Sequence, residues 1–168
     1  LLIQQTGFGF FSKGKISPFD YLHCYINIPD TSSRDSLFQA EARRCNKILN
    51  IINDNPQSKH LCIFDELYSG TNPSEAIASA YSYLELFSKN KNIKFLLTTH
   101  FVKICKLFNK NKNVKNYKMN TYEKNDNLEY TYKIKPGISK IKGGIYVLKD
   151  LNFPRKLIEK TKKIIKTL

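Results

Sequence analysis

Apolar residues along the chain follow two patterns, alternation and helical spacing, and their order predicts the strands and helices. Residues Phe19–Ile28 alternate aromatic and aliphatic side chains, which is typical of a strand. Leu61–Phe64 and Ile93–Leu97 are short apolar runs that end in polar residues, so both predict buried strands. Between the first two strands, apolar residues recur at steps of three and four, which predicts a helix that begins at Ser36. Its apolar positions are Phe38, Ala42, Cys45, Leu49 and Ile52.

Two further helices are predicted on either side of the third strand. Asn72 as N-cap, Pro73 at the first helical position and Glu75 at the third form a helix start that resembles a capping box. The apolar face of this helix consists of Ala76, Ala80, Tyr83, Leu84 and Phe87. Phe101–Phe108 follows the third strand and predicts another helix.

The last third of the chain has a different pattern. Residues 117–121 and 128–134 alternate in polarity, and the turn residues between them predict an antiparallel hairpin. Gly144 and Pro154 each stand near the start of a short helical pattern. We therefore predict an α/β fold in which helices flank a mixed, mostly parallel sheet, with an added hairpin and C-terminal helices.

The charge of the chain is strongly basic, with 28 Lys and Arg against 14 Asp and Glu and a net charge of +14. Only four of the basic residues are Arg, whereas 24 are Lys and a further 16 residues are Asn. Attraction to the phosphates of DNA or a nucleotide is one interpretation. The other is a solvated lysine surface that reflects AT-rich coding DNA, because specific phosphate contacts favour Arg.

The cysteine pattern and the length of the apolar runs indicate a soluble, intracellular protein. No pair of cysteines has the C-x-x-C spacing of a metal site, and the three His have no second ligand at metal spacing. A reducing compartment fits best, whether nucleus, cytoplasm or a viral replication compartment. No signal peptide is visible, and no apolar run approaches the roughly 18 residues that cross a bilayer.

Two acidic residues follow the buried strand in "LCIFDE", at the strand end where α/β sheets bind ligands. A site that hydrolyses a nucleotide needs one acid to hold Mg²⁺ and a second to position or deprotonate the attacking water. Asp65 and Glu66 suit these two roles, in the pattern known as Walker B. Apolar strands that end in acids are also common without such a role. Whether these two acids form a nucleotide site therefore depends on the neighbouring residues.

Further polar residues extend this candidate site. Gly70 and Thr71 precede the capped helix, and His100 follows the third strand. A histidine at a strand end can donate a hydrogen bond to a γ-phosphate oxygen, although a lone histidine is more often structural. The order and spacing of the acids, the Gly-Thr pair and the histidine favour the nucleotide site.

This order of elements resembles the ATPase domain of the MutS family of DNA mismatch repair proteins. The residues that match its strand, loop and switch motifs are Asp65, Glu66, Gly70, Thr71 and His100. Upstream, "SSRDSLFQAE" is similar to the family's ABC-type signature, approximately S-G-Q-S-T-F-x-x-E; Ser33, Ser36, Phe38 and Glu41 match, and Arg34, Asp35 and Leu37 depart. Downstream, Ser139, Gly144 and Pro154 are in step with the family's C-terminal segment.

The resemblance implies an ABC-type P-loop NTPase domain that binds ATP and Mg²⁺ between two subunits and drives a DNA clamp. The implied site residues are Asp65 for the metal, Glu66 and His100 for catalysis, and Ser33, Ser36, Gly70 and Thr71 for the nucleotide. Residues 1–135 would form a partial ATPase domain, and residues 136–168 a helical segment that packs on it or on the dimer partner. The implied partners are a second subunit, in a homo- or heterodimer, and double-stranded mismatched DNA bound by other domains; no membrane is implied.

The glycine-rich run "GFGFFSKGK" is not the phosphate loop that such a domain requires. Read from Gly9, the run has Ile16 where Mg²⁺ needs a hydroxyl, and Phe10 and Phe11 where the backbone must wrap phosphate. We therefore expect the true loop, Walker A, upstream of Leu1. Without it, this chain on its own is expected to bind ATP poorly and to lack full activity.

Two alternatives stay open at this point. One is another ABC-type ATPase, such as one of chromosome maintenance, although Gly144 and Pro154 favour the MutS-like tail. The other is a basic module that binds DNA or a partner without using a nucleotide, which the net charge of +14 favours.

Overall fold

The computed structural model describes residues 17–26, 36–124 and 127–167, which belong to two compact units. The N-terminal unit is residues 1–107 and the C-terminal unit is residues 108–168. The described residues of the first include three parallel strands with helices, and those of the second an antiparallel hairpin with two helices. The predicted α/β architecture, with a small parallel sheet, a hairpin and helices, is confirmed at this level.

In the N-terminal unit, strands and helices alternate along the chain. The strands are β1 (Tyr21–Tyr25), β2 (His60–Asp65) and β3 (Ile93–Thr98), and the helices are α1 (Leu37–Asp54), α2 (Pro73–Ser88) and α3 (Val102–Leu107). The sheet order is β1-β2-β3, and all neighbours are parallel. Because parallel strands end at the same edge, the last residues of β2 and β3 lie side by side.

The central position of β2 explains its apolar sequence. Cys62 and Phe64 are fully or almost fully buried, and the Phe64 ring contacts Tyr25 of β1 and Tyr83 and Phe87 of α2. A strand enclosed in this way reads as a continuous apolar run. Burial of one such aromatic side chain stabilises the fold by roughly 1.5–3 kcal/mol.

Helix α1 begins at the predicted N-cap. Ser36 Oγ accepts a hydrogen bond from Gln39 N at 3.3 Å, and Gln39 Oε1 accepts one from Ser36 N at 2.9 Å, which completes a capping box. Its buried residues are Glu41, Cys45, Ile48 and Ile52. Three of these are apolar, whereas Glu41 is a carboxylate on the same buried face.

The C-terminal unit starts with a 3₁₀ turn, Phe108–Lys110, and continues with β4 (Tyr117–Lys124) and β5 (Asn127–Pro136). These strands pair antiparallel, with an irregularity between Met119 and Thr121. There Thr131 Oγ1 donates to Asn120 O at 2.7 Å, and Tyr132 adopts a left-handed φ of 54°. Helices α4 (Gly144–Asp150) and α5 (Arg155–Ile165) follow.

This division places the hairpin in the same compact unit as the last two helices. The resemblance instead implied that the hairpin belongs to the ATPase-like segment, residues 1–135. The boundary at residue 135 stays a prediction. Across the described ranges, each helix is too short or too polar to cross a membrane.

Candidate functional site

The carboxyl ends of β2 and β3 bring polar side chains together. Asp65 pairs with Thr98 in the strand register, and Thr98 Oγ1 donates a short hydrogen bond to Asp65 Oδ1. The backbone N–H of Glu66 donates to Thr98 O at 3.1 Å, which extends the pairing past the end of β2. Parallel pairing thus fixes the exposed Asp65 carboxylate at the edge of the sheet, at the carboxyl end of β2.

Glu66 and His100 contact each other at this edge of the sheet. His100 Nδ1 lies 3.0 Å from Glu66 Oε2, and the side chains are 58% and 49% exposed. Because even exposed ion pairs contribute only about 0–1 kcal/mol, this exposed contact contributes little to stability. The contact does orient both groups, since a ring that donates from Nδ1 presents its Nε2 on the opposite side.

The backbone at Glu66 is in the left-handed region, with a φ of 51°, and Tyr68 follows at a φ of 60°. Residues with a Cβ atom adopt this region at a cost of about 1–2 kcal/mol each. Two such residues in one turn therefore require support from the surrounding structure.

Part of this support is the Glu41 carboxylate of α1. Its Oε1 accepts hydrogen bonds from Ser69 N at 3.0 Å and Ser69 Oγ at 3.2 Å, and its Oε2 accepts one from Gly70 N at 3.1 Å. Glu41 is only 3% exposed, and a buried carboxylate must be hydrogen-bonded to be tolerated. The turn 66–70 is thereby attached to α1.

Gly70 lies directly against the first turn of α1. A Cβ atom at this position would lie 2.6 Å from Leu37 Cγ and 2.9 Å from Phe38 N. Only glycine permits this close approach of the two segments. Gly70, predicted to bind nucleotide, therefore contacts the residues that immediately follow Ser36.

Thr71 begins the connection into α2. Its Oγ1 donates to Glu75 Oε2 at 2.8 Å, while Asn72 Oδ1 accepts hydrogen bonds from Ser74 N and Glu75 N at 3.1 and 3.0 Å. The predicted helix start at Asn72 is confirmed. The Thr71 hydroxyl is thus used within the helix start in this structure.

Two titratable groups in the core near the turn are neutral. The Tyr68 ring packs against Phe38 at a centroid distance of 5.4 Å, and burial raises the pKa of the Tyr68 hydroxyl above its usual value. Burial likewise raises the pKa of the Cys45 thiol to about 11. Both groups are neutral near pH 7, so they contribute packing rather than charge.

The structure groups most of the predicted site residues into two neighbouring sets. Asp65, Glu66 and His100 lie at the strand ends, and Gly70 lies against the helix start that follows Ser36. Ser33 lies outside the described residues. Two residues were not predicted as parts of the site: Thr98, which the strand register reveals, and Glu41, whose position in the signature pattern was the available signal.

These features define the chain as an α/β protein with a polar site at the carboxyl ends of its parallel strands. The chain belongs to the MutS domain V family, whose model matches residues 1–168. It is 30% identical over its full length to the DNA mismatch repair protein MutS of Clostridium perfringens, of which it covers 18%. Over 83% of its length it is 33% identical to MutS of Clostridioides difficile, of which it covers 14%.

A further relative has a lower identity over nearly the whole chain. MutS of Persephonella marina is 26% identical over 98% of this chain, which covers 19% of that protein. The chain thus spans less than a fifth of the length of each of these three relatives.

Proposed function

We propose that this chain is the ATPase portion of a MutS-like DNA mismatch repair protein and has the ABC-type P-loop NTPase fold. In this proposal it binds ATP and Mg²⁺ at an interface between two subunits, and hydrolysis drives a clamp on mismatched DNA. The observation that carries the proposal is the Glu66–His100 pair, held at 3.0 Å beside Asp65 at the ends of adjacent parallel strands. Membership of the MutS domain V family is the second ground for the proposal.

The donor set at the strand ends suits a magnesium ion. Mg²⁺ is commonly bound by one or two carboxylates, with water and substrate phosphates completing its coordination. Asp65 supplies one exposed carboxylate, and among the described residues no three His, Cys, Asp or Glu side chains form a ligand set by themselves. Asp65 would hold the ion, which when bound neutralises phosphate charge.

The remaining residues have separable roles in this proposal. Glu66 would orient the attacking water and accept its proton, since its carboxylate is half exposed and fixed by His100. His100 donates to Glu66 from Nδ1, and in the doubly protonated ring its Nε2 N–H would donate to a γ-phosphate oxygen. Gly70 and Thr71 would line the nucleotide, and Ser33 and Ser36 would contact the nucleotide of the partner subunit, because a helix N-terminus favours anions.

The proposal is tested by Glu66→Gln in the complete polypeptide that carries this chain. We expect steady-state ATP hydrolysis to fall roughly 10²- to 10⁴-fold, because the amide cannot accept a proton. ATP binding, measured by filter binding or calorimetry, should persist. Glu85→Gln is the matched control, since Glu85 lies on α2 and bonds to Lys89. A Glu66→Gln protein that hydrolyses ATP at the normal rate would contradict the proposal.

The charge distribution favours a second candidate, a basic module that binds DNA without using a nucleotide. Residues 108–168 contain 16 Lys and Arg against 5 Asp and Glu, a net charge of +11, whereas residues 1–107 have a net charge of +3. Binding to phosphates would weaken steeply with salt. DNA affinity that falls with salt and is the same with and without ATP would favour this candidate.

A further inference from the structure

We propose that Glu41 is a positioning residue: it holds the turn that carries Glu66 against the amino-terminal part of α1 and so sets the geometry of the Glu66–His100 pair. The inference rests on the proposed function, in which Glu66 acts on the attacking water. It assigns a separate role to a residue that contacts neither Asp65 nor His100 in the hydrogen bonds of this structure.

The position of Glu41 is unusual for a carboxylate. It is 3% exposed and lies on the buried face of α1. Burial of such a group is unfavourable unless hydrogen bonds replace its lost water. A side chain that served only packing would be better apolar, so the hydrogen bonds of Glu41 explain its presence.

Among the described residues, the hydrogen bonds of Glu41 go to the turn after β2. Both carboxylate oxygens accept backbone N–H groups, from Ser69 at 3.0 Å and from Gly70 at 3.1 Å. Two consecutive N–H groups thus converge on the two oxygens of one side chain. Such a bidentate contact fixes orientation as well as distance.

The turn is strained, so it depends on this contact. Glu66 and Tyr68 both have positive φ angles. Tyr68 is held by its packing on Phe38, and Gly70 by its close approach to Leu37. All of these contacts come from the first two turns of α1, whose N-cap is Ser36.

This arrangement joins two groups that serve different nucleotides in the proposed dimer. Glu66 acts on the nucleotide bound by its own subunit, and Ser36 contacts the nucleotide of the partner. Because α1 and the turn 66–70 are joined through Glu41, a displacement of the helix start is transmitted to the turn that begins with Glu66. Glu41 would therefore link the state of one nucleotide site to the water-positioning group of the other.

The test is Glu41→Gln in the complete polypeptide. The amide has the same shape but only one acceptor oxygen, so one of the two backbone N–H groups would face an NH₂ group. We expect kcat for ATP hydrolysis to fall roughly 10- to 100-fold, as for other residues that orient a catalytic group, with little change in KM. Hydrogen–deuterium exchange without nucleotide should be faster in residues 66–71 and unchanged in α5.

Two variants control the experiment. Ser69→Ala removes the 3.2 Å hydroxyl contact but keeps both backbone hydrogen bonds, so it should change kcat and exchange far less. Glu41→Asp keeps both acceptors on a shorter side chain and should recover part of the kcat. If Glu41→Gln does not fold, Glu41→Asp decides: a lowered kcat supports the positioning role, and a normal kcat contradicts it.

The outcomes also separate this inference from the proposed function. A Glu41→Gln protein with normal kcat and normal exchange, alongside an inactive Glu66→Gln protein, would overturn the inference and leave the function standing. An active Glu66→Gln protein would overturn the proposed function, and the positioning role with it. Slow hydrolysis together with faster exchange in the turn supports both.

Discussion

The two compact units of this chain differ in how they use their apolar residues. Of the 16 buried apolar residues among those described, 14 belong to the N-terminal unit, and only Phe108 and Ile158 to the C-terminal unit. The C-terminal unit exposes large side chains instead, and Tyr132 is 85% exposed. It also has most of the net charge, +11 against +3.

The two units therefore meet different physical requirements. Side chains in the N-terminal unit are fixed by a core, which suits a site that depends on distances of about 3 Å between particular atoms. The C-terminal unit has little core of its own among the described residues, and its charge is suited to long-range attraction. Three experiments test this contrast.

The largest expected effect is the loss of a core side chain in the N-terminal unit. Phe64 is 1% exposed and contacts three aromatic rings, so Phe64→Ala should lower the free energy of unfolding by about 3–5 kcal/mol. Tyr132→Ala, at an exposed position, should change it by less than about 0.5 kcal/mol. Urea denaturation of both variants measures the contrast, and equal effects would mean that the units do not differ in this way.

The prediction of a buried strand was wrong for β3, which lies at an edge of the three described strands and exposes Leu96 by 62%. The sequence predicted the core around β2, because β2 is enclosed and has a continuous apolar run. It also located the start of α2, because Asn72, Pro73 and Glu75 act within four residues of one another. The strand ends then brought Asp65 beside Thr98 and Glu66 beside His100, as expected for adjacent parallel strands. The catalytic and binding roles of these residues stay predictions.

The sequence could not predict interactions that depend on contacts between distant segments. The hydrogen-bond partners of Glu41 are the backbone N–H groups of Ser69 and Gly70. Every residue except proline has such a group, so the residue types do not indicate these partners. The left-handed conformations of Glu66 and Tyr68 were equally hidden, because neither residue type favours them. The buried face of α1 also includes Ile48, whereas Leu49, which was expected there, is only partly buried.

A second contrast comes from adding one methyl group to each unit. Gly70→Ala would place a Cβ atom 2.6 Å from Leu37 Cγ, so the turn and α1 must move apart. We expect a loss of about 1–3 kcal/mol in unfolding free energy, as for other overpacked sites. Gly144→Ala has no atom within 4 Å of the new Cβ and lies in α4, so it should be neutral or stabilise by about 0.4–1 kcal/mol. Thermal unfolding measures both, and a neutral Gly70→Ala would contradict the close packing.

The smallest effect concerns acid, and it should be confined to the N-terminal unit, because all three histidines lie within residues 1–107. His60 Nε2 lies 3.0 Å from Asn55 O, which only accepts hydrogen bonds, so this nitrogen donates. Its Nδ1 is then the acceptor for His23 Nε2, also at 3.0 Å. Burial, with a further contribution from the neighbouring His60 ring, lowers the pKa of His23 from its usual value of 6.5.

The sign of the resulting pH dependence follows from proton binding. Below pH 6.5 the unfolded chain takes up a proton at His23 that the folded chain does not, so folding becomes less favourable as the pH falls toward the lowered pKa. The slope is at most about 1.4 kcal/mol per pH unit for one group.

Hydrogen exchange between pH 7 and 5, corrected for its intrinsic pH dependence, should show added opening of β1 and β2 but not of the hairpin. His23→Phe should remove this opening while keeping the ring stack with Tyr21 and His60. If the hairpin opened equally, the acid response would belong to the whole chain, which would contradict its confinement to the N-terminal unit.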